Sequence, residues 1–141
     1  MGALDISGLP ENALLLVDAS PIIYRLERHP IFAQRFAPLF DLQRAGRLRF
    51  AVSTIAIAEV LAGPFKRGDD SLAQRYRAVL ESWRVVELTV DLAEAAARLR
   101  ARLKLKLPDA IQAASAIAIN ADALVTHDRD FSGVTALRVI S

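Results

Sequence analysis

The sequence has no cysteine, only two histidines and one tryptophan, and no apolar run approaching a membrane span. Without thiols there is no disulfide and no thiolate metal site, and with His29 and His127 as the only imidazoles a zinc centre is not expected. A spanning helix needs roughly 18 or more uninterrupted apolar residues, and a signal peptide needs a basic segment ahead of an apolar one. Neither pattern occurs, so a cytoplasmic location and no membrane association are expected. Excess charge is scarce as well, at a formal +2.

What is present is apolar: 53% of 141 residues, with a mean hydropathy of +0.28. That suffices for one globular unit with a substantial core, and the surplus predicts apolar surface covered by self-association, most simply a homodimer. Residues 1–12, with two glycines, a proline and no periodicity, predict a flexible leader ahead of a single domain at 13–141.

Leu14 to Val17 is a continuously apolar run of the kind found in a central parallel strand. Ser20-Pro21 predicts a helix with Ser20 as N-cap, running to about Arg28. Phe32, Phe36 and Phe40 form an aromatic stripe on a helix that Pro38 threatens to break; it is a core face or a docking surface. A strand at Leu48 to Val52 is followed by a helix from Ile55 that Gly63-Pro64 should end, and then by a helix from Ser71 to Ser82. Trp83 is assigned to the core, ahead of a strand at Arg84 to Leu88. Asp91 is expected to cap the next helix, and the alternating basic residues from Arg98 to Lys106 fit no regular element. Pro108-Asp109 opens a helix, and strands follow at Ala123 to Thr126 and Leu137 to Ile140. Strands alternating with helices indicate an α/β fold around a mostly parallel sheet of four to five strands.

Four acids interrupt apolar stretches. Asp18 ends the first strand, Glu59 is the only charge between Ala51 and Pro64, Asp109 opens an uncharged helix, and Asp128 follows Leu124-Val125-Thr126-His127. A buried carboxylate is unfavourable unless paired, protonated or bound to a cation. Each has an ordinary reading when taken alone. Asp109 would complement a helix dipole, Asp128 would start a turn with Asp130, and Asp18 would cap a helix. Glu59, flanked by Ile55, Ala56, Ile57, Ala58, Val60 and Leu61, is the hardest to place on an ordinary surface.

Ligands of open parallel sheets bind beyond the carboxyl ends of the strands, where all four acids are expected to converge. Clustered carboxylates call for a cation, and an all-oxygen donor set selects Mg²⁺ or Mn²⁺, as one or two ions. Such ions support hydrolysis of a phosphodiester. Setting the four acids aside leaves 18 basic against 12 acidic residues, and the preponderance of arginine over lysine suits bidentate phosphate contact as well as it reflects a compositional bias.

The order Val17-Asp18-Ala19-Ser20, Thr54-Ile55-Ala56-Ile57-Ala58-Glu59-Val60, Leu107-Pro108-Asp109-Ala110-Ile111-Gln112-Ala113-Ala114 and Val125-Thr126-His127-Asp128-Arg129-Asp130-Phe131 resembles a PIN domain, in the style of bacterial VapC-type toxins. The resemblance runs from about Leu14 to Ile140. It implies a three-layer α/β/α domain and a Mg²⁺- or Mn²⁺-dependent endoribonuclease, dimeric and inhibited by a cognate antitoxin. On matching positions, Asp18, Glu59, Asp109 and Asp128 are the catalytic, metal-binding acids, Asp130 assists at the metal through water, and Ser20 and Thr126 are supporting hydroxyls. Lys104 and Lys106 are candidate contacts to RNA phosphate or a solvated basic stretch. His127 is not assigned as a general base. The leader before the first strand departs from the usual start of such toxins. Asp18→Asn is expected to abolish cleavage and, by removing a like charge, to stabilise the metal-free fold slightly.

Two other readings stay open. One is a PIN-like module that binds RNA or protein without turnover. The other is a phosphoryl-acceptor receiver domain, which wants an acidic pair at the first strand and a lysine near the last; Ala19 follows Asp18, and Leu137 to Ser141 has Arg138 but no lysine.

Overall fold

The computed structural model describes residues 3–127, 131 and 133–141. In chain order the elements are β1 (Ala13–Val17), α1 (Ala19–Leu26), α2 (Phe32–Arg44), β2 (Leu48–Ser53), α3 (Thr54–Lys66), α4 (Asp70–Glu81), β3 (Arg84–Val86), α5 (Val90–Leu103), α6 (Leu107–Ala118), β4 (Ala123–Val125) and β5 (Val139–Ile140). The five strands form one sheet in the order β3-β2-β1-β4-β5, and every neighbouring pair is parallel. The expected α/β class and parallel sheet are therefore present.

All five residues of β1 are buried, because helices cover both of its faces. Ala13, Leu15 and Val17 face a layer containing Ile22 of α1, Phe36, Leu39 and Phe40 of α2, Val60 of α3 and Leu80 of α4. Leu14 and Leu16 face Leu92 and Ala96 of α5 and Ala110, Ile111, Ala113 and Ala114 of α6. The period-2 alternation of strand side chains thus splits one apolar run between two cores and gives a three-layer α/β/α arrangement. Residues before β1 lie against this body: Leu4, Ile6 and Leu9 pack on the first core, and Arg138 donates to the carbonyls of Asp5 and Ser7.

Several local expectations give way to tertiary packing. Pro38 sits inside α2 without ending it, because Phe36, Leu39 and Phe40 anchor both sides of the proline in the core. The stripe is accordingly core at Phe36 and Phe40, which are buried and closed to a docking partner. Likewise α3 runs through Gly63-Pro64 to Lys66, with Val60 and Pro64 buried one turn apart. It stops where Gly68 takes a left-handed φ of 70° and the amides of Gly68 and Asp69 return to the carbonyls of Phe65 and Pro64. Thr89, not Asp91, caps α5 by accepting from the Leu92 amide. The basic alternation from Arg98 is the last turn of α5 followed by a short connection, with Lys104 in a left-handed conformation (φ 53°). Trp83 is half-buried and packs edge-on against Phe50. Among the described residues no helix is long and apolar enough to cross a membrane.

Candidate active site

The chain runs from β1 outward to β2 and β3, then returns to lay β4 and β5 on the other side of β1. The strand order therefore switches direction between β1 and β4, and in open α/β sheets the crevice at the carboxyl end of such a switch is where ligands bind. Asp18 follows β1 at this point, and its amide donates to the Val125 carbonyl of β4 at 2.8 Å.

Asp18, not Ser20, is the N-cap of α1. Its Oδ1 accepts from the Ala19 amide at 2.8 Å and from Gln112 Nε2 at 2.8 Å, while Oδ2 accepts from Thr126 Oγ1 at 2.9 Å. The carboxylate is thus held from α1, from α6 and from the residue after β4. Thr126 and Gln112 are themselves buried. Ser20 is half-buried in the first turn of α1.

Glu59 projects from α3, whose start is fixed by Ser53: its buried Oγ accepts from the Ala56 amide at 3.1 Å. Glu59 reaches solvent, yet its pKa is raised, first by partial desolvation and then by the negative charge of Asp18. The two acids therefore lie near enough to repel one another electrostatically. Asp109 is half-buried in the first turn of α6, one turn ahead of Gln112 on the same helix face. Among the described residues no group of three or more His, Asp or Glu side chains is gathered closely enough to enclose a metal ion. Asp128 and Asp130, the remaining predicted acids, lie outside the described residues.

Gln112 holds Asp18 although its residue type does not mark it as part of the site. The available signal was a lone carboxamide, with Ser115, in the otherwise apolar turns of Ala110 to Ala116. His127, beside the site, belongs to an aromatic cluster: Tyr24 Oη lies 2.8 Å from its Nδ1, and the Phe32 ring centroid is 4.4 Å away. Lys104 and Lys106 are exposed on the connection into α6. A groove of about 550 Å³ between α5, α6 and residues 133–136, lined by Leu99, Ala114 and Ile117, contains none of the acids.

A family model described as PIN domain matches residues 15–137. No curated protein matches the chain. Among solved structures, a chain of a toxin–antitoxin complex from Klebsiella pneumoniae is 29% identical with a TM-score of 0.71, covering 90% of this chain and 96% of that one. A chain of VapBC2 from Rickettsia felis, solved with a DNA fragment from its promoter, is 21% identical with a TM-score of 0.67, covering 89% and 96%. VapC20 from Mycobacterium tuberculosis, described as a Sarcin-Ricin loop cleaving toxin, is 20% identical with a TM-score of 0.66, covering 90% and 99%. With the family match spanning nearly the whole parallel-sheet core, the chain belongs to the PIN domain family.

Proposed function

We propose that this chain is a metal-dependent endoribonuclease, the toxin of a toxin–antitoxin pair, that hydrolyses RNA phosphodiester bonds at the β1/β4 rim. The observation that carries the reading is the Asp18 carboxylate, fixed by three donors at the switch point and close enough to Glu59 to raise its pKa. Two carboxylates that interact electrostatically, with no basic side chain paired to either among the described residues, suit a cation, and their oxygen donors suit Mg²⁺ or Mn²⁺. Asp18 and Glu59 would hold the ion or ions, joined by Asp109, Asp128 and, through water, Asp130. When bound, the cation lowers the pKa of water and stabilises the leaving oxygen.

The chain's own residues do the rest. Thr126 and Gln112 lock the Asp18 side chain, so that it does not reorient as charge develops on the phosphate. Lys104 and Lys106, exposed ahead of Asp109, offer point charges to the RNA backbone near the acidic rim. Ser20 is the supporting hydroxyl on the α1 side. An antitoxin partner is supported by the 29%-identical chain solved in a toxin–antitoxin complex. Exposed Ile31, Val90 and Leu107 provide apolar surface for that partner or for a second copy in a homodimer. A cytoplasmic location agrees with such a substrate.

The test is incubation of purified protein with total cellular RNA in Mg²⁺, in Mn²⁺ and in EDTA. Discrete fragments that require metal are expected. Intact RNA under every condition would turn the assignment toward a binding module.

A further inference from the structure

We propose that Gln112 is a positioning residue that determines which oxygen of Asp18 is left open to a cation. The inference rests on the nuclease reading above. Residues Ala110 to Ala116 of α6 are all buried, and two of them are polar. Ser115 is satisfied within its own helix, donating to the Ile111 carbonyl at 2.7 Å. Gln112 is not satisfied locally: its Nε2 reaches Asp18 Oδ1 across 94 residues of sequence at 2.8 Å, and its Oε1 is buried with no partner among the described residues. A half-satisfied buried amide is unfavourable, and an apolar residue of similar volume would fill the space without that defect. Packing alone therefore gives no reason for a glutamine here, whereas the bond to Asp18 does.

An ionised carboxylate offers about four acceptor positions, two on each oxygen. Oδ1 receives the Ala19 amide and the Gln112 amide, and both of its positions are filled. Oδ2 receives the Thr126 hydroxyl and, among the described residues, keeps one position open. Gln112 thereby makes the two oxygens inequivalent and directs cation binding to Oδ2. Without it, Oδ1 becomes a competing ligand atom and the carboxylate plane is no longer held from α6.

The experiment compares wild type with Gln112→Leu and with Gln112→Met, whose unbranched chain keeps the shape of glutamine should leucine disturb the packing. Full-length proteins stripped of metal are titrated with Mn²⁺ by calorimetry, unfolded in urea with EDTA, and assayed for RNA cleavage across Mn²⁺ concentrations. The expected result is a metal-free stability modestly below wild type, because Asp18 loses one charge-assisted donor, with the Mn²⁺ dissociation constant raised about 10- to 100-fold in both variants whatever stability each loses, the usual effect of losing a partner that orients a ligand. Cleavage should fall most at low Mn²⁺ and recover in part at saturation. Unchanged Mn²⁺ affinity in both variants, or affinity lost only in step with stability, overturns the positioning role while leaving the nuclease reading intact. A wild type that neither binds Mn²⁺ nor cuts RNA overturns that reading, and this inference with it.

Discussion

Asp18→Asn should destabilise the metal-free protein, and the size of the effect follows from the carboxylate's surroundings. Three donors converge on it: the Ala19 amide, Gln112 Nε2 and Thr126 Oγ1. Asparagine can keep its oxygen toward Ala19 and Gln112 and turn its amino group to Thr126, whose hydroxyl can rotate to accept. The contacts survive but the charge assistance does not. Hydrogen bonds to charged groups are worth about 1.5–3 kcal/mol and neutral ones about 0.5–1.5, so the loss is about 1 kcal/mol per bond. Relief of the repulsion between Asp18 and Glu59 returns part of this, leaving a net destabilisation of about 1–2 kcal/mol. For a domain of this size that lowers Tm by about 3–6 °C. Urea and thermal unfolding in EDTA, with wild type alongside, measure it. A variant as stable as wild type or more stable would show that like-charge repulsion outweighs the three hydrogen bonds. The sequence alone, in which only the like charges are visible, leads to that opposite sign.

Glu59→Gln should stabilise the metal-free protein at neutral pH, because the folded state raises the Glu59 pKa by desolvation and by the charge of Asp18. A raised carboxyl pKa opposes folding once the group ionises. The advantage of the variant should shrink as pH falls through the raised pKa of folded Glu59 and be gone below about 4.3, where the acid is protonated in both states. A Tm difference that stays constant from pH 7 to pH 3 would remove this explanation. Ser53→Ala should lower stability by about 1–2 kcal/mol, the usual loss of an N-cap side chain, since the Ala56 amide is left unpaired at a buried helix start. An unchanged urea midpoint would mean that Ser53 does not fix α3.

The parts of the fold legible in the sequence are those set by local pattern. The run Leu14 to Val17 reads as a buried parallel strand because covering both faces leaves no polar alternation. Asp18 and Glu59 stood out because each interrupts apolar sequence, and the structure couples the two electrostatically. What stayed hidden depends on contacts distant in sequence. Gln112 looks incidental in α6 until Asp18, 94 residues away, arrives beside it. Pro64 reads as a helix stop until its burial beside Val60 carries α3 one more turn. Ser20-Pro21 resembles a good cap and first-turn pair, yet Asp18 is the N-cap, so this carboxylate starts α1 while facing the rim.

The most direct test of the account is single-turnover cleavage of one RNA, chosen from the fragments released from total RNA, by wild type and Asp18→Asn in Mn²⁺ at a temperature where both are folded. The variant is expected to lose at least about 100-fold in rate, more than the loss of an outer partner of a metal ligand produces. Cleavage by Asp18→Asn at the wild-type rate would contradict the assignment of Asp18, and with it the placement of the active site at the β1/β4 rim.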